Sequence, residues 1–239
     1  MSPPMRGTPE ESEIGRGEAS GDFEPALGWC AREVQEELPG LRLLITEVQV
    51  GRKGSLTGGS PADIKARLRE LSNRLRGATA VGIRREPITA AYRIFFRHIG
   101  LDPEVVRTPI EAAVLERMLR GGFLSGGLLA DVLLIALMDT GVPVWALDAA
   151  RVDGPLGIRA SAEAERLGRS AGAVALPAGR LVIADASAPL AILFGELARG
   201  YEPKGGTRRL ALFAVQVAGV PDLYVEEALW TCRSALEQA

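Results

Sequence analysis

The amino-acid sequence predicts a mixed α/β fold of the α+β kind, in which a helical first half packs on a strand-rich second half. In residues 60–141, apolar side chains recur at helical spacing, and each run ends at a glycine. In residues 142–217, short apolar runs alternate with Gly, Pro and Asp, as is typical of short strands. Apolar residues make up 47% of the 239 residues, which is enough for a packed core. We therefore expect a single domain over residues 23–239.

The first half is expected to be helical except for a strand at residues 41–50. Ser60 is expected to cap one helix, with Pro61 at its first position. Thr108 and Glu111 form a capping-box pattern around Pro109, which is a strong helix start. The predicted helices cover residues 25–37, 61–76, 87–100, 109–120 and 126–139.

The second half is expected to form short strands between turn residues. The segments concerned are VPVWALD (142–148), PLGIRAS (155–161), AVALP (173–177), RLVIADAS (180–187) and RRLALFAVQV (208–217). Residues 188–199 fit either a helix or a strand followed by a turn. A closing helix is expected from about Asp222 to Glu237.

Charge is unevenly distributed along a chain whose net charge is −2. Residues 1–40 hold nine acidic and three basic residues. Residues 1–22 are predicted to be a disordered acidic lead-in, without the apolar core of a secretory signal. Residues 61–120 hold twelve basic and seven acidic residues. This basic segment fits a local RNA or phosphate surface, and it fits solvated helix faces equally well.

The residue inventory argues against several classes of site. Cys30 and Cys232 form no CxxC pair and His98 is the only histidine, so we expect no zinc site and no other bound metal. No P-loop or dinucleotide-binding motif occurs, so no cofactor is expected. Free thiols fit a reducing cytoplasm. The apolar run 121–138 contains Asp131 and several glycines, so it predicts a core helix rather than a membrane span.

One predicted helix, at residues 87–100, holds candidate functional side chains. His98 falls on the same apolar stripe as Ile94, so we expect it to pack at the edge of the core rather than to act as a base. Arg93 and Arg97 lie one turn apart, next to Tyr92. They either face a phosphate or carboxylate ligand, with the tyrosine ring as a stacking surface, or form ion pairs within the fold.

Asp131 stands alone in an otherwise apolar helix. A buried carboxylate needs hydrogen-bond partners or a counter-charge, because desolvation penalises the ionised form. Two explanations are equally good. Asp131 is either a pocket group that binds an ammonium or hydroxyl, or a structural anchor bonded to backbone amides or to an arginine.

Residues 84–186 carry a series of short motifs in a specific order. They are Tyr92-Arg93, Gly100-x-Asp102-Pro103, a proline-led helix ending in Leu119-Arg120-Gly121, Asp131, Gly141-x-Pro143, Asp148, Arg159-Ala160 and Asp185. This series resembles the tRNA-binding/editing domain of the phenylalanyl-tRNA synthetase β subunit, and it is most similar to free-standing bacterial relatives of that domain.

The resemblance implies a mixed α/β domain with a pocket between two sub-parts. In the synthetase, that pocket hydrolyses tyrosine wrongly joined to the phenylalanine tRNA, using a positioned water and no metal. The implied partner is tRNA or another RNA. The implied pocket residues are Asp131, Trp145, Asp148 and Arg159, and the implied RNA-contacting residues are Tyr92, Arg93, Arg97 and Arg120.

The sequence departs from that family's pattern in the pocket. The places of the family's pocket asparagines hold Gly127, Leu128 and Leu134, and the place of its histidine holds Trp145. The Gly-Glu pair that follows Arg-Ala in the family corresponds to Glu163-Ala164. Discrimination of a hydroxyl depends on polar pocket groups. The sequence therefore fits a trans-editing aminoacyl-tRNA deacylase, a non-catalytic RNA- or small-molecule-binding protein on the same scaffold, or a structural interaction module.

Overall fold

The computed structural model describes residues 23–51, 55–75, 77, 80 and 82–239, so the predicted lead-in at residues 1–22 lies outside the described residues. The predicted fold class is confirmed. Helices dominate the first half, strands dominate the second, and the strands form two four-stranded sheets. No helix in the described ranges combines the length and apolar character needed to cross a bilayer.

The bounds of the described elements are as follows. The helices are α1 (Arg32–Glu37), α2 (Ala62–Arg74), α3 (Pro87–His98), α4 (Pro109–Arg120), α5 (Leu128–Thr140) and α6 (Asp222–Gln238). The strands are β1 (Ala26–Leu27), β2 (Trp29–Cys30), β3 (Arg42–Gln49), β4 (Val144–Asp148), β5 (Gly157–Ala160), β6 (Leu181–Ala184), β7 (Pro189–Ile192) and β8 (Arg209–Gln216). Short 3₁₀ turns lie at Ile83–Arg85 and Ala149–Arg151.

The first sheet is antiparallel and has the order β1-β3-β8-β4. Strand β8 pairs with β3 over its full length and with β4 on its other side. Every residue of β8 after Arg209 is buried, which explains why this strand is a nearly continuous apolar run. Helix α6 packs on β3 and β8 and also against α5, and α5 contacts α2 and α4.

The second sheet has the order β2-β5-β6-β7, with β2 parallel to β5 and the other pairs antiparallel. Trp29 lies opposite Gly157 in the β2–β5 pair. A Cβ at Gly157 would lie 2.0 Å from the indole ring, so the glycine is required for this close approach. The indole Nε1 donates a hydrogen bond to the Pro155 carbonyl at 3.0 Å, which links Trp29 to the segment just before β5.

Phe194, in the turn after β7, connects the helical part to the sheets. Its ring centroid lies 5.6 Å from that of Tyr92, 5.7 Å from that of Phe95 and 5.2 Å from that of Phe96, all on α3. Its centroid also lies 5.6 Å from that of Trp145 on β4. These edge-on and tilted arrangements are favourable geometries for aromatic pairs. Phe194 therefore holds α3 against both sheets.

The predicted helix at residues 25–37 is wrong for its first half, since only residues 32–37 are helical. The preceding residues form β1 and β2, one in each sheet. The Gly28 amide donates to the Leu43 carbonyl at 2.8 Å and the Trp29 amide donates to the Leu156 carbonyl at 3.2 Å. Pairing with two distant segments thus outweighs the local helical pattern of the sequence.

Two further expectations about local structure are corrected, and an open alternative is decided. Residues 173–177 form no strand, only an isolated bridge between Ala175 and Arg166. Residues 188–199 form a strand and a turn rather than a helix. Pro61, not Ser60, is the N-cap residue of α2, because the Ser60 hydroxyl is directed to Asp131 instead. The capping box of Thr108 and Glu111 is present as predicted.

The expected placement of His98 on the packing face of α3 is wrong. His98 is exposed, and Ile94 on the same stripe is 58% exposed. The buried face instead includes Tyr92, Phe95 and, unexpectedly, Arg93, which is 8% exposed. The predicted apolar stripe left Arg93 on the solvent side of α3, so it does not coincide with the face that is buried in the structure.

Arg93 is buried because acidic side chains surround its guanidinium group. Its Nη1 donates to Glu111 Oε1 at 2.5 Å, and its Nη2 donates to Glu104. Arg84 Nε lies 3.2 Å from the same Glu111 oxygen. Burial alone lowers the pKa of Arg93, but the hydrogen bonds and charges of the two glutamates outweigh this effect and raise the pKa. Of the two alternatives for Arg93, the structure therefore supports an ion pair within the fold.

Replacing Arg93 by Gln is expected to lower the free energy of unfolding by about 2–4 kcal/mol, because it leaves the buried Glu111 carboxylate short of a counter-charge. The matched control is Arg97→Gln, an exposed position one turn further along α3, where the change is expected to stay within about 0.5 kcal/mol. Urea unfolding at neutral pH measures both. Equal losses in the two variants would contradict a buried ion pair at Arg93.

Candidate functional site

A cavity beside β4, which we call the Trp145 basin, has a volume of about 400 Å³. Its described lining residues are Arg107, Pro109, Ala112, Leu133, Leu134, Leu137, Pro143, Val144, Trp145 and Phe194. The Trp145 ring stacks on Phe213 with centroids 5.6 Å apart and an interplanar angle of 12°, so the indole is held rigidly. Pro109 enters the wall because the capping box fixes the start of α4.

The side chains that line the Trp145 basin are apolar or aromatic apart from Arg107. Among its described lining residues, Arg107 alone carries a charge, and none carries a carboxylate, imidazole, hydroxyl or thiol group. Arg107 is exposed, and no carboxylate among the described residues lies within ion-pair distance of it. The basin thus offers a hydrophobic surface with one cationic group and no side chain that accepts a proton near neutral pH.

Asp131 is 1% exposed and is held at the start of α5 by hydrogen bonds from three directions. Its Oδ2 accepts from the Ser60 and Ser125 hydroxyls, each at 2.5 Å. Its Oδ1 accepts from the Gly126 amide at 2.8 Å. Asp131 therefore ties the segment before α2 to the segment before α5, which is the anchoring role among the two alternatives. It borders a separate cavity of about 330 Å³ that shares Leu134 with the Trp145 basin.

Asp148 ends β4 and borders another cavity, of about 820 Å³, which we call the arginine basin. The described residues that line it are Asp148, Ala150, Arg151, Arg169, Ser170, Arg199, Gly200 and Tyr201. Asp148 Oδ1 accepts from the Ala150 amide at 3.1 Å, and Oδ2 accepts from the Thr207 hydroxyl at 2.9 Å. The arginines come from distant parts of the chain, so no local sequence pattern points to this cavity.

Arg159 is bound to Glu165 rather than directed at either basin. Its Nη1 and Nη2 donate to the two carboxylate oxygens at 2.8 and 2.5 Å, and this pairing is the main reason that the pKa of Glu165 is lowered. The preceding residue, Ala164, has a left-handed φ of 57°, a conformation that glycine adopts at the least cost. A residue in the left-handed conformation thus directly precedes Glu165, the partner of Arg159.

The RNA-contacting candidates on α3 and α4 differ in accessibility. Tyr92 is 1% exposed and its hydroxyl donates to the Val215 carbonyl at 2.8 Å, so its ring has no face open to a base, and burial raises its pKa. Arg93 is buried in its ion pairs. Arg97 is exposed, and the Arg120 side chain is 56% exposed and lies 3.2 Å from Glu116.

The structure therefore does not gather the implied pocket residues into one cavity. Trp145, Asp148 and Asp131 each border a different cavity, and Arg159 borders none of those described. Sequence reasoning also missed Arg107, Phe194 and the arginine basin. Across the described ranges, no three His, Cys, Asp or Glu side chains are grouped so as to hold a metal ion.

Replacing Asp131 by Ala is expected to lower the free energy of unfolding by about 2–4 kcal/mol, because three donors lose their acceptor in a buried site. The control is Asp63→Ala at an exposed position in the first turn of α2, with an expected loss of about 0.5 kcal/mol. Thermal and urea unfolding measure both losses. A loss for Asp131 no larger than that for Asp63 would rule out the anchoring role.

Replacing Glu165 by Gln is expected to destabilise the protein in a pH-dependent way. Because the folded-state pKa of Glu165 lies below its ordinary value of 4.5, ionisation of this group stabilises the fold above that pH. The stabilisation is lost as the pH falls below 4.5 through the folded-state pKa. The difference in unfolding free energy between wild type and variant should therefore shrink on acidification. The exposed Glu163→Gln variant serves as control, and a pH-independent difference for Glu165 would contradict the pairing.

Comparison with known proteins identifies relatives for part of the chain. No protein-family model matches it. The chain is 36% identical over 94 residues to the phenylalanine–tRNA ligase β subunit of Xanthomonas oryzae pv. oryzae, covering 39% of this chain and 12% of that subunit. It is 35% identical over 97 residues to the same subunit of Xanthomonas euvesicatoria pv. vesicatoria and of Xylella fastidiosa, with the same coverage. The aligned segment thus spans about an eighth of those bacterial subunits. This chain is a relative of that part of the phenylalanine–tRNA ligase β subunit.

Proposed function

We propose that this protein binds tRNA in the bacterial cytoplasm and receives the aminoacyl group of a charged tRNA in the Trp145 basin, as a binding protein rather than as a deacylase. The observation that carries the proposal is the apolar lining of that basin, which has Arg107 as its single charged group among the described residues. The relationship to a subunit of a tRNA ligase supports tRNA as the RNA partner.

The walls of the Trp145 basin favour an apolar or aromatic aminoacyl side chain. Leu133, Leu137, Trp145 and Phe194 provide apolar contact. A hydroxyl or charged group placed among them would lose its water without gaining a partner, at a cost of about 1–3 kcal/mol. The basin therefore selects by size and hydrophobicity rather than by hydrogen bonds.

The same lining argues against hydrolysis. Cleavage of an aminoacyl ester needs an oriented water and donors for the developing oxyanion. Among the described lining side chains, Arg107 is the single hydrogen-bond donor apart from the Trp145 indole, and none is a base. Asp131, the carboxylate of the implied set that lies on α5, has its oxygens occupied by Ser60, Ser125 and Gly126.

Exposed arginines of the helical half would hold the RNA backbone. Arg97 on α3 and Arg120 at the end of α4 are exposed, and Arg107 lies in the segment that connects these helices. Arginine binds phosphate through paired N–H groups, and release of counterions makes such binding weaken with rising salt. In this proposal, the arginines provide affinity and the Trp145 basin provides preference for a charged tRNA.

The test compares binding of charged and uncharged tRNA by fluorescence anisotropy. Wild-type protein is expected to prefer tRNA carrying an aromatic or apolar amino acid, and Trp145→Ala is expected to weaken that preference about tenfold, because the aromatic wall is lost. The control variant is Trp230→Ala, which removes a half-exposed tryptophan from α6 and should leave the preference unchanged.

Deacylation is measured in the same samples. Release of the amino acid above the rate in buffer alone would replace the binding proposal by the deacylase alternative. Binding that fails for all tRNAs, or that does not weaken with rising salt, would contradict the RNA part of the proposal.

A further inference from the structure

The arginine basin is built from segments that lie far apart in the sequence and are tied together by backbone hydrogen bonds. The Asp148 amide donates to the Tyr201 carbonyl at 2.9 Å, which joins the end of β4 to the turn that carries Arg199. The Gly168 amide donates to the Pro189 carbonyl at 2.8 Å, next to the segment that carries Arg169 and Ser170. The basin is therefore a fixed part of the fold.

Close packing also joins the two turns that carry the arginines. A Cβ at Gly168 would lie 2.8 Å from the Cβ of Ala198, so the turns touch where the glycine has no side chain. A Cβ at Gly172 would lie 4.0 Å from Arg199 Nη1, which places the end of this arginine over the turn of Ser170. Arg199 is thus one of the residues that line the basin, and its guanidinium lies near the turn that carries Ser170.

The positive charge in the basin is only partly balanced. Arg151 and Arg199 have no carboxylate within 4.0 Å among the described residues. Arg169 has Asp153 at 3.9 Å and also feels the charge of Asp185, and Asp153 in addition accepts from the Ser187 hydroxyl. The one carboxylate in the lining, Asp148, is engaged by Ala150 and Thr207. Three guanidinium groups that line one cavity and are only partly paired favour an anion between them.

The basin also contains two uncharged hydroxyl groups that could donate hydrogen bonds to an anion. The Ser170 Oγ is buried and has no hydrogen-bond partner among the described residues, which is costly for a hydroxyl. Arg169 Nε donates to the Tyr201 hydroxyl oxygen at 2.7 Å, so the tyrosine keeps its own proton for a further acceptor. A ligand rich in acceptor oxygens would satisfy both hydroxyls.

We infer that the arginine basin binds a phosphate group through Arg151, Arg169 and Arg199, with Ser170 and Tyr201 as neutral donors. Phosphate carries more charge and more acceptor oxygens than a carboxylate, and arginine matches its geometry with paired N–H groups. The cavity of about 820 Å³ accommodates the phosphate together with the group that carries it. The site lies at the opposite end of β4 from the Trp145 basin, and it does not depend on the proposed tRNA binding.

The test uses the full chain and isothermal titration with pyrophosphate at low ionic strength. The double variant Arg151→Gln/Arg199→Gln is expected to weaken binding at least about tenfold, because two charge-assisted contacts are lost. Both arginines are exposed and lack a carboxylate partner among the described residues, so the melting temperature without ligand should not fall. The control Arg32→Gln/Arg233→Gln removes the same charge from exposed i,i+4 ion pairs and should bind as the wild type does.

Ser170→Ala tests the buried hydroxyl separately and is expected to weaken pyrophosphate binding about threefold. A short single-stranded RNA without terminal phosphates distinguishes the source of the phosphate. If the basin variant loses affinity for this RNA, the ligand is a phosphodiester, and if only pyrophosphate binding falls, it is a free or terminal phosphate. Unchanged pyrophosphate and RNA binding in the double variant, or the same loss in the control, would overturn the inference. Failure of wild-type tRNA binding with an intact pyrophosphate site would contradict the proposed function alone.

Discussion

The position of β8 is the constraint on which the rest of the structure depends. This strand pairs on one side with β3, from the start of the described chain, and on the other with β4, from its middle. Its register fixes β4, and β4 carries Trp145 and Asp148 three residues apart, about 10 Å along the strand. The two residues thus reach different cavities from one rigid element. A slip of β4 by one residue would exchange its faces and destroy both arrangements.

Elements with signals in their own sequence could be predicted, and elements that depend on distant partners could not. The capping box at Thr108 and the apolar run of β8 can be recognised from the residues of the segment itself. Arg93 is buried only because Glu104 and Glu111 lie beside it in the fold, and β1 and β2 replace a helix because each pairs with a different sheet. Local periodicity carries no information about such partners.

The candidate site, like the fold, could be predicted from the sequence only where the signal lies in the local residues. An isolated acid in an apolar helix indicated that Asp131 needed partners, but the choice between pocket and anchor required the position of Ser60, which is 71 residues away. Trp145 was found through the resemblance, whereas Arg107 and the arginine basin have no sequence signal, since their residues are brought together from separate turns. Conversely, Tyr92 and Arg93, which the sequence singled out as RNA contacts, form hydrogen bonds within the fold.

The backbone of Phe194 gives an independent argument about the Trp145 basin. Its left-handed φ of 57° costs about 1–2 kcal/mol for a residue with a side chain, and glycine would avoid that cost. Each aromatic contact contributes about 0.5–1.5 kcal/mol beyond burial, so the contacts of its ring with Trp145 and the aromatic residues of α3 outweigh the strain. The phenylalanine is therefore held there for its ring, which forms part of the basin wall. In the proposed function, this ring adds to the apolar surface that would hold an aminoacyl side chain.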